Sequence, residues 1–182
     1  MKSKTLDEYN QVIKRCKEVF EKKTIDYGTA WRILRLSSIT DQIFIKAQRI
    51  RSIQEKGLQK VPDDVISEFI GIINYCIIAM IQIKLTDFTE EQLPPRRVMD
   101  LYEQAVNDTM DLLAKKNHDY DEAWRDMRVS SMTDIILMKL FRVKQIEDNE
   151  GKTIISEGVG ANYEDIMNYA VFCLIKLNFH EA

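Results

Sequence analysis

Residues 115–134 read KKNHDYDEAWRDMRVSSMTD, and 93 positions earlier residues 22–41 read KKTIDYGTAWRILRLSSITD. Twelve of these twenty positions are identical, against nine of the fifty-three compared around them, where one inserted residue shifts the offset to 94. The chain reads as an old tandem duplication, 1–92 and 93–182, in which one block resisted change for packing or for chemistry.

Both halves follow one helical plan, so the expected fold is all-α. It comprises two four-helix units packed about a pseudo-two-fold axis. A first helix is predicted over about 6–23 and 95–116, the second opening at Pro94-Pro95. A short helix follows at 27–35 and 120–129, with Asp26 and Asp119 as N-caps and Asp119-x-x-Glu122 as a capping box. A third runs over 39–55 and 132–149 behind Ser38-x-x-Asp41 and Ser131-x-x-Asp134. The fourth starts near Pro62 and near Asn162. No strand alternation interrupts this pattern.

Composition sets limits on function. The 182 residues are 45% hydrophobic and 30% charged, with a net charge of −3. Cations and acids are interspersed, so no basic stripe offers itself to a nucleic acid. Cys16, Cys76 and Cys173 are widely spaced without a C-x-x-C, which points to packed thiols rather than a zinc or disulfide framework. MKSKTLDEYN lacks the apolar core of a signal peptide, and a cytoplasmic protein is expected. The run FIGIINYCIIAMIQI at 69–83 holds Asn74 and Gln82 and reads as a buried helix rather than a membrane span. There is no phosphate-binding loop, G-x-G-x-x-G or nucleophile elbow, and His118 and His180 lack metal spacing.

Four groups of residues ask for more than packing. Tyr27 and Trp31, like Tyr120 and Trp124, lie four apart and share a helix face. They are either an aromatic wedge in the core or a surface on which a planar ring stacks. Arg32 and Arg35 recur as Arg125 and Arg128, as phosphate partners or as ion pairs to Asp26, Asp41, Asp119 and Asp134. Lys46 and Lys139 fall inside apolar stripes (Ile39, Ile43, Ile50, Ile53; Met132, Ile136, Val143, Ile146), with Arg49 and Arg142 at the edge. A cation so placed must snorkel, find a carboxylate or meet an anionic ligand. Asn74-Tyr75 recurs as Asn168-Tyr169. The second half alone carries Glu122, Glu164 and Asp165 where the first has Thr29, Ile70 and Gly71. Asp119, Glu122 and Asp165 could therefore ligate Mg²⁺ there, or simply cap helices.

On the block K-K-N-H-D-Y-D-E-A-W-R and the later N-Y, both halves resemble the bacterial and phage family called nucleotide modification associated domain 1. Its motif falls on Asp26, Tyr27, Ala30 and Trp31, and on Asp119, Tyr120, Ala123 and Trp124. The resemblance implies a link to nucleotide or modified-base metabolism. It also implies an acid three residues before N-Y, which Asp165 matches and Gly71 does not. More loosely, D-x-x-E at 119–122 and N-x-x-D at 162–165 are similar to the Mg²⁺ motifs of MazG-type all-α nucleoside triphosphate pyrophosphohydrolases.

The expected function is binding of a phosphorylated small molecule, a nucleotide, in the second repeat. Arg125, Arg128, Lys139 and Arg142 would hold phosphate, Tyr120 or Trp124 would pack on the base, and Asn168 would also bind the ligand. Asp119, Glu122 and Asp165 would hold Mg²⁺ if phosphate is hydrolysed. The rival expectation is a helical scaffold with internal ion pairs and no open cavity beside Lys46 or Lys139. Self-association of the chain suits both readings.

Overall fold

The computed structural model describes residues 3–57, 62–117, 122–155 and 157–179. Among these residues all regular structure is helical. The α-helices are α1 (Ser3–Tyr27), α2 (Leu36–Lys56), α3 (Pro62–Lys84), α4 (Pro95–Asn117), α5 (Val129–Asp148) and α6 (Val159–Lys176). One-turn 3₁₀ helices at Ala30–Ile33 and Ala123–Asp126 complete two equivalent sets of four elements.

The predicted short helices are thus 3₁₀ turns. Their ends are closed by side chains from the fourth helix of each set. Gln82 donates its amide to the Arg32 and Leu34 carbonyls at 3.1 and 2.9 Å, and Lys176, its counterpart, donates to the Arg125 carbonyl at 2.5 Å. Carbonyls satisfied this way need no further helical turn.

Several expected start signals are displaced. Asp26 lies inside α1 rather than capping a new helix. That helix stops at Gly28, whose φ of +60° is left-handed and whose added Cβ would sit 2.6 Å from the Gln92 amide oxygen. α2 and α5 begin at Leu36 and Val129, two residues before the serines, behind extended Arg35 and Arg128. Glu122 has a φ of 62° and precedes its turn, so it cannot close a capping box from within it. Asp119 lies outside the described residues.

The pseudo-two-fold axis is visible in bonds that come in reciprocal pairs. Tyr9 of α1 donates to Asn168 of α6 at 2.7 Å, and its counterpart Tyr102 of α4 donates to Asn74 of α3 at 3.0 Å. Asp41 pairs with Lys144, and Asp134 lies 3.7 Å from Arg51. Thr40 donates to Glu147 at 2.7 Å, and Gln54 donates to Thr133 at 3.1 Å. Each bond joins one repeat to the other. α2, α3, α5 and α6 form the centre, with α3 against α2 and α6, and α5 against α6 and α2. α1 and α4 lie across the two fourth helices.

Asp64–Lys84 is long and apolar enough to cross a membrane by composition alone. Within the chain, however, Phe69, Ile72, Ile73, Ile77 and Ile81 are wholly buried in the common core, as a central helix requires. The three cysteines are buried free thiols, and burial pushes each of them up.

One reciprocal pair is unequal. Glu147 meets Thr40 and the Tyr163 hydroxyl, whereas the other copy has neutral Gln54 and Phe69 in the corresponding places. Burial raises the Glu147 carboxyl above its ordinary value, beyond what the Thr40 and Tyr163 hydrogen bonds take back. A raised acid binds its proton more tightly when folded. Its cost is therefore absent below the unfolded-state value of about 4.3 and grows as pH rises through the folded value. Glu147→Gln is expected to match wild type in Tm near pH 4 and to exceed it at pH 7. Thermal melts across that range would show a constant offset instead if Glu147 did not titrate.

Candidate functional site

The repeated lysines both meet carboxylates, but differently. Lys139 donates to Asp165 at 2.7 Å, with side chains 13% and 21% exposed. Gly71 stands where Asp165 does, and Lys46 reaches one turn back to Glu68 at 3.1 Å. Glu68, only 6% exposed, also accepts from Arg49 at 2.8 Å. Asn162 occupies Glu68's place in the second copy. The acid has moved one helical turn between copies while the lysine stayed. Gly71 matters to the first arrangement because an added Cβ would lie 2.7 Å from Lys46 Cε and 2.8 Å from Cδ. The lysine stem lies flat on α3 where the second copy has a side chain.

That arrangement borders a cavity of about 550 Å³ lined by α1, the first 3₁₀ turn, α2 and α3. Its aliphatic walls come from Val19, Leu34, Ile70 and Ile78, and its aromatic ones from Phe20, Tyr27, Trp31 and Tyr75. Lys46, Glu68 and Asn74 add polar groups, and exposed Lys23 and Tyr27 stand at the rim. Asn74 is fully engaged, accepting from Tyr102 and donating to the Cys16 carbonyl at 3.1 Å. It therefore fixes the wall. Lys46 also stands 5.9 Å from the Tyr75 ring centroid, within reach of its face.

The second repeat is closed at the corresponding ring. Phe172 replaces Ile78 and stacks on Trp124, with centroids 4.3 Å apart and planes 6° apart. The Arg125 guanidinium lies 4.4 Å from the Trp124 centroid. Trp124 is 6% exposed and so forms a core wedge; the half-buried, cavity-lining aromatic is Trp31. Arg125 is bound by Glu122 and by an acid of α1 rather than by the aspartates expected. It donates to Glu8 of α1 at 2.5 Å and to Glu122 at 3.0 Å, and Thr5 donates to Glu122. Burial alone would lower the guanidinium; these carboxylates outweigh it and leave Arg125 raised. Arg32, its counterpart, instead donates to Gln82 and to the Phe88 and Glu90 carbonyls at 2.6 and 3.0 Å. Neither arginine pairs with Asp26, Asp41 or Asp134 in the hydrogen bonds that hold it.

Of the remaining expected residues, Asn168 is 6% exposed and accepts from Tyr9. Arg128 is exposed at the start of α5. Arg142 is exposed on an open groove that also takes in Lys139, Lys152 and Asn162. Tyr120 and Asp119 lie outside the described residues. Glu122 and Asp165 are each engaged by a cation, and no three metal-type side chains converge among the described residues. The structure thus unites Lys139 with Asp165 and Arg125 with Glu122, and leaves Arg128 and Arg142 at the surface.

Glu68 and Glu8 escaped the sequence reading because it credited added acids to the second copy alone. The available signal was the exchange Glu68/Gly71 for Asn162/Asp165, which keeps one acid and shifts it by three residues.

A model of the family described as Nucleotide modification associated domain 1 matches residues 23–83 and again 116–177, more than half of the chain. No curated protein and no solved structure matches. The first matched segment contains every cavity residue named above except Val19 and Phe20.

Proposed function

Since the chain belongs to the nucleotide modification associated domain 1 family, we propose that its first repeat binds a nucleotide in the cavity beside Lys46. The observation that carries this reading is the cavity itself: about 550 Å³, mostly apolar, with four aromatic side chains and one lysine–carboxylate pair. A volume of a few hundred Å³ with few polar groups is typical of small-molecule sites. Trp31 and Tyr75 offer aromatic surface to a base, and Lys46 offers a cation to a phosphate. The proposal places the ligand in the first repeat rather than the second, because Phe172 covers the ring that would have stacked there.

The test is thermal stability of the full chain against the common nucleosides and nucleotides, each with and without Mg²⁺. Binding at a hundred times Kd stabilises by about 2.7 kcal/mol, an easily read rise in Tm. Ile78→Phe, which installs the second repeat's residue in the cavity wall, should abolish that rise with little loss of stability. If no compound moves the wild-type Tm, the cavity is not a nucleotide site.

A further inference from the structure

We infer that Lys46 is a releasable cation that takes the phosphate of a nucleoside monophosphate, and that Arg49 is the positioning residue that makes its release possible. This rests on the reading of the cavity as a nucleotide site.

Glu68 sets the constraint. A carboxylate 6% exposed cannot be left without a cation, because an uncompensated buried charge is strongly unfavourable. With Lys46 as its sole cationic partner, Lys46 would be locked. Glu68 has two: Lys46 at 3.1 Å and Arg49 at the shorter distance of 2.8 Å. Arg49 does not line the cavity, and its side chain is 56% exposed, so it holds Glu68 from the solvent side. Lys46 does line the cavity. It can rotate from Glu68 to an anion there while Arg49 keeps Glu68 neutralised. Gly71 provides the path, since the stem lies across the bare backbone where a Cβ would be 2.7 Å from Cε.

The second repeat lacks this arrangement. Asn162 removes the acid one turn back, and Asp165, in Gly71's place, binds Lys139 directly at 2.7 Å. Among the described residues, a bare backbone under the lysine stem together with an acid held by two cations is seen in the first copy. The chemical class follows. Arg49 also meets Asp64 at 3.9 Å, so the charge offered to the cavity is that of Lys46 itself, which a neutral nucleoside does not use and a phosphomonoester does.

The experiment is calorimetric titration of the full chain with the four common nucleosides, their 5′-monophosphates and inorganic phosphate. Wild type should bind a monophosphate about tenfold or more tightly than its nucleoside, the scale of one charge-assisted contact. Inorganic phosphate, without a base to pack, should bind more weakly still. Lys46→Met should bring the monophosphate-to-nucleoside ratio to about one while nucleoside affinity holds. Arg49→Met should lower the same ratio several-fold, because Lys46 is then needed by Glu68, and Arg49→Lys should restore it. A merely structural Arg49 would alter both ligands equally. Equal wild-type affinity for nucleoside and monophosphate overturns the inference and leaves the cavity reading standing, as does an unchanged ratio in Arg49→Met. Inorganic phosphate binding as tightly as the monophosphates would overturn the nucleotide as its source. Silence towards nucleosides and monophosphates alike removes both readings.

Discussion

Trp124→Ala should destabilise the protein by about 3–5 kcal/mol, the range for removing a large aromatic from a packed core. The ring is 6% exposed, stacked on Phe172 at 4.3 Å and covered by the Arg125 guanidinium. Trp31→Ala, the same substitution in the other copy, should cost about half as much or less. That ring is only half-buried and already borders an open volume, so truncation enlarges a cavity rather than creating one. Denaturant unfolding of the two variants side by side measures the difference. Equal losses would mean that the two rings do the same job and that the first repeat is as closed as the second. Both residues come from one repeated motif and differ in their surroundings: Ile78 in one case, Phe172 and the Arg125 guanidinium in the other.

Asn74→Ala should cost about 2–4 kcal/mol, more than the loss of a single ordinary hydrogen bond. The side chain sits at 8% exposure between repeats, accepting from Tyr102 and donating to the Cys16 carbonyl. Truncation strands a buried hydroxyl and removes a partner from a buried carbonyl, and an unmet polar group in the interior is penalised more than a matched one is rewarded. Burial already pushes the Tyr102 phenol well up, which marks how dry its surroundings are. Pairing Asn74→Leu with Tyr102→Phe should recover part of the loss, since hydroxyl and amide then leave together. Urea titration of the single and double variants reads this coupling. Strict additivity would mean that the two side chains do not act as a pair.

Much of this architecture was legible in the sequence, and the reason is specific. The repeated block ends in Thr-Asp, at Thr40-Asp41 and Thr133-Asp134, and those four residues make reciprocal bonds between the repeats. Residues held by symmetry must serve in both copies, so comparing the copies reveals them. Asn74 and Asn168 behave likewise. Lysines in apolar stripes were also legible, and both found carboxylates. What stayed hidden was asymmetric. Phe172 in place of Ile78 looks like a neutral exchange between apolar residues, yet it puts a ring against Trp124. Gly71 looks like a lost acid, yet it is where Lys46 lies down. The start signals failed for another reason. Ser38 and Ser131 lie within helices whose first turns are set by extended arginines, and capping preference is weaker than the backbone geometry imposed by the preceding turn.

The path of α1 carries one more consequence. It opens against the second repeat, where Thr5, Glu8 and Tyr9 bond Glu122, Arg125 and Asn168, and finishes against its own, where Phe20 and Thr24 border the cavity. A polypeptide with a single copy could complete itself only by lending its leading helix to a second molecule and borrowing one in return. Such an assembly would melt on dilution. Joining the copies in one chain replaces that encounter with a tether, so integrity no longer depends on how much protein is present.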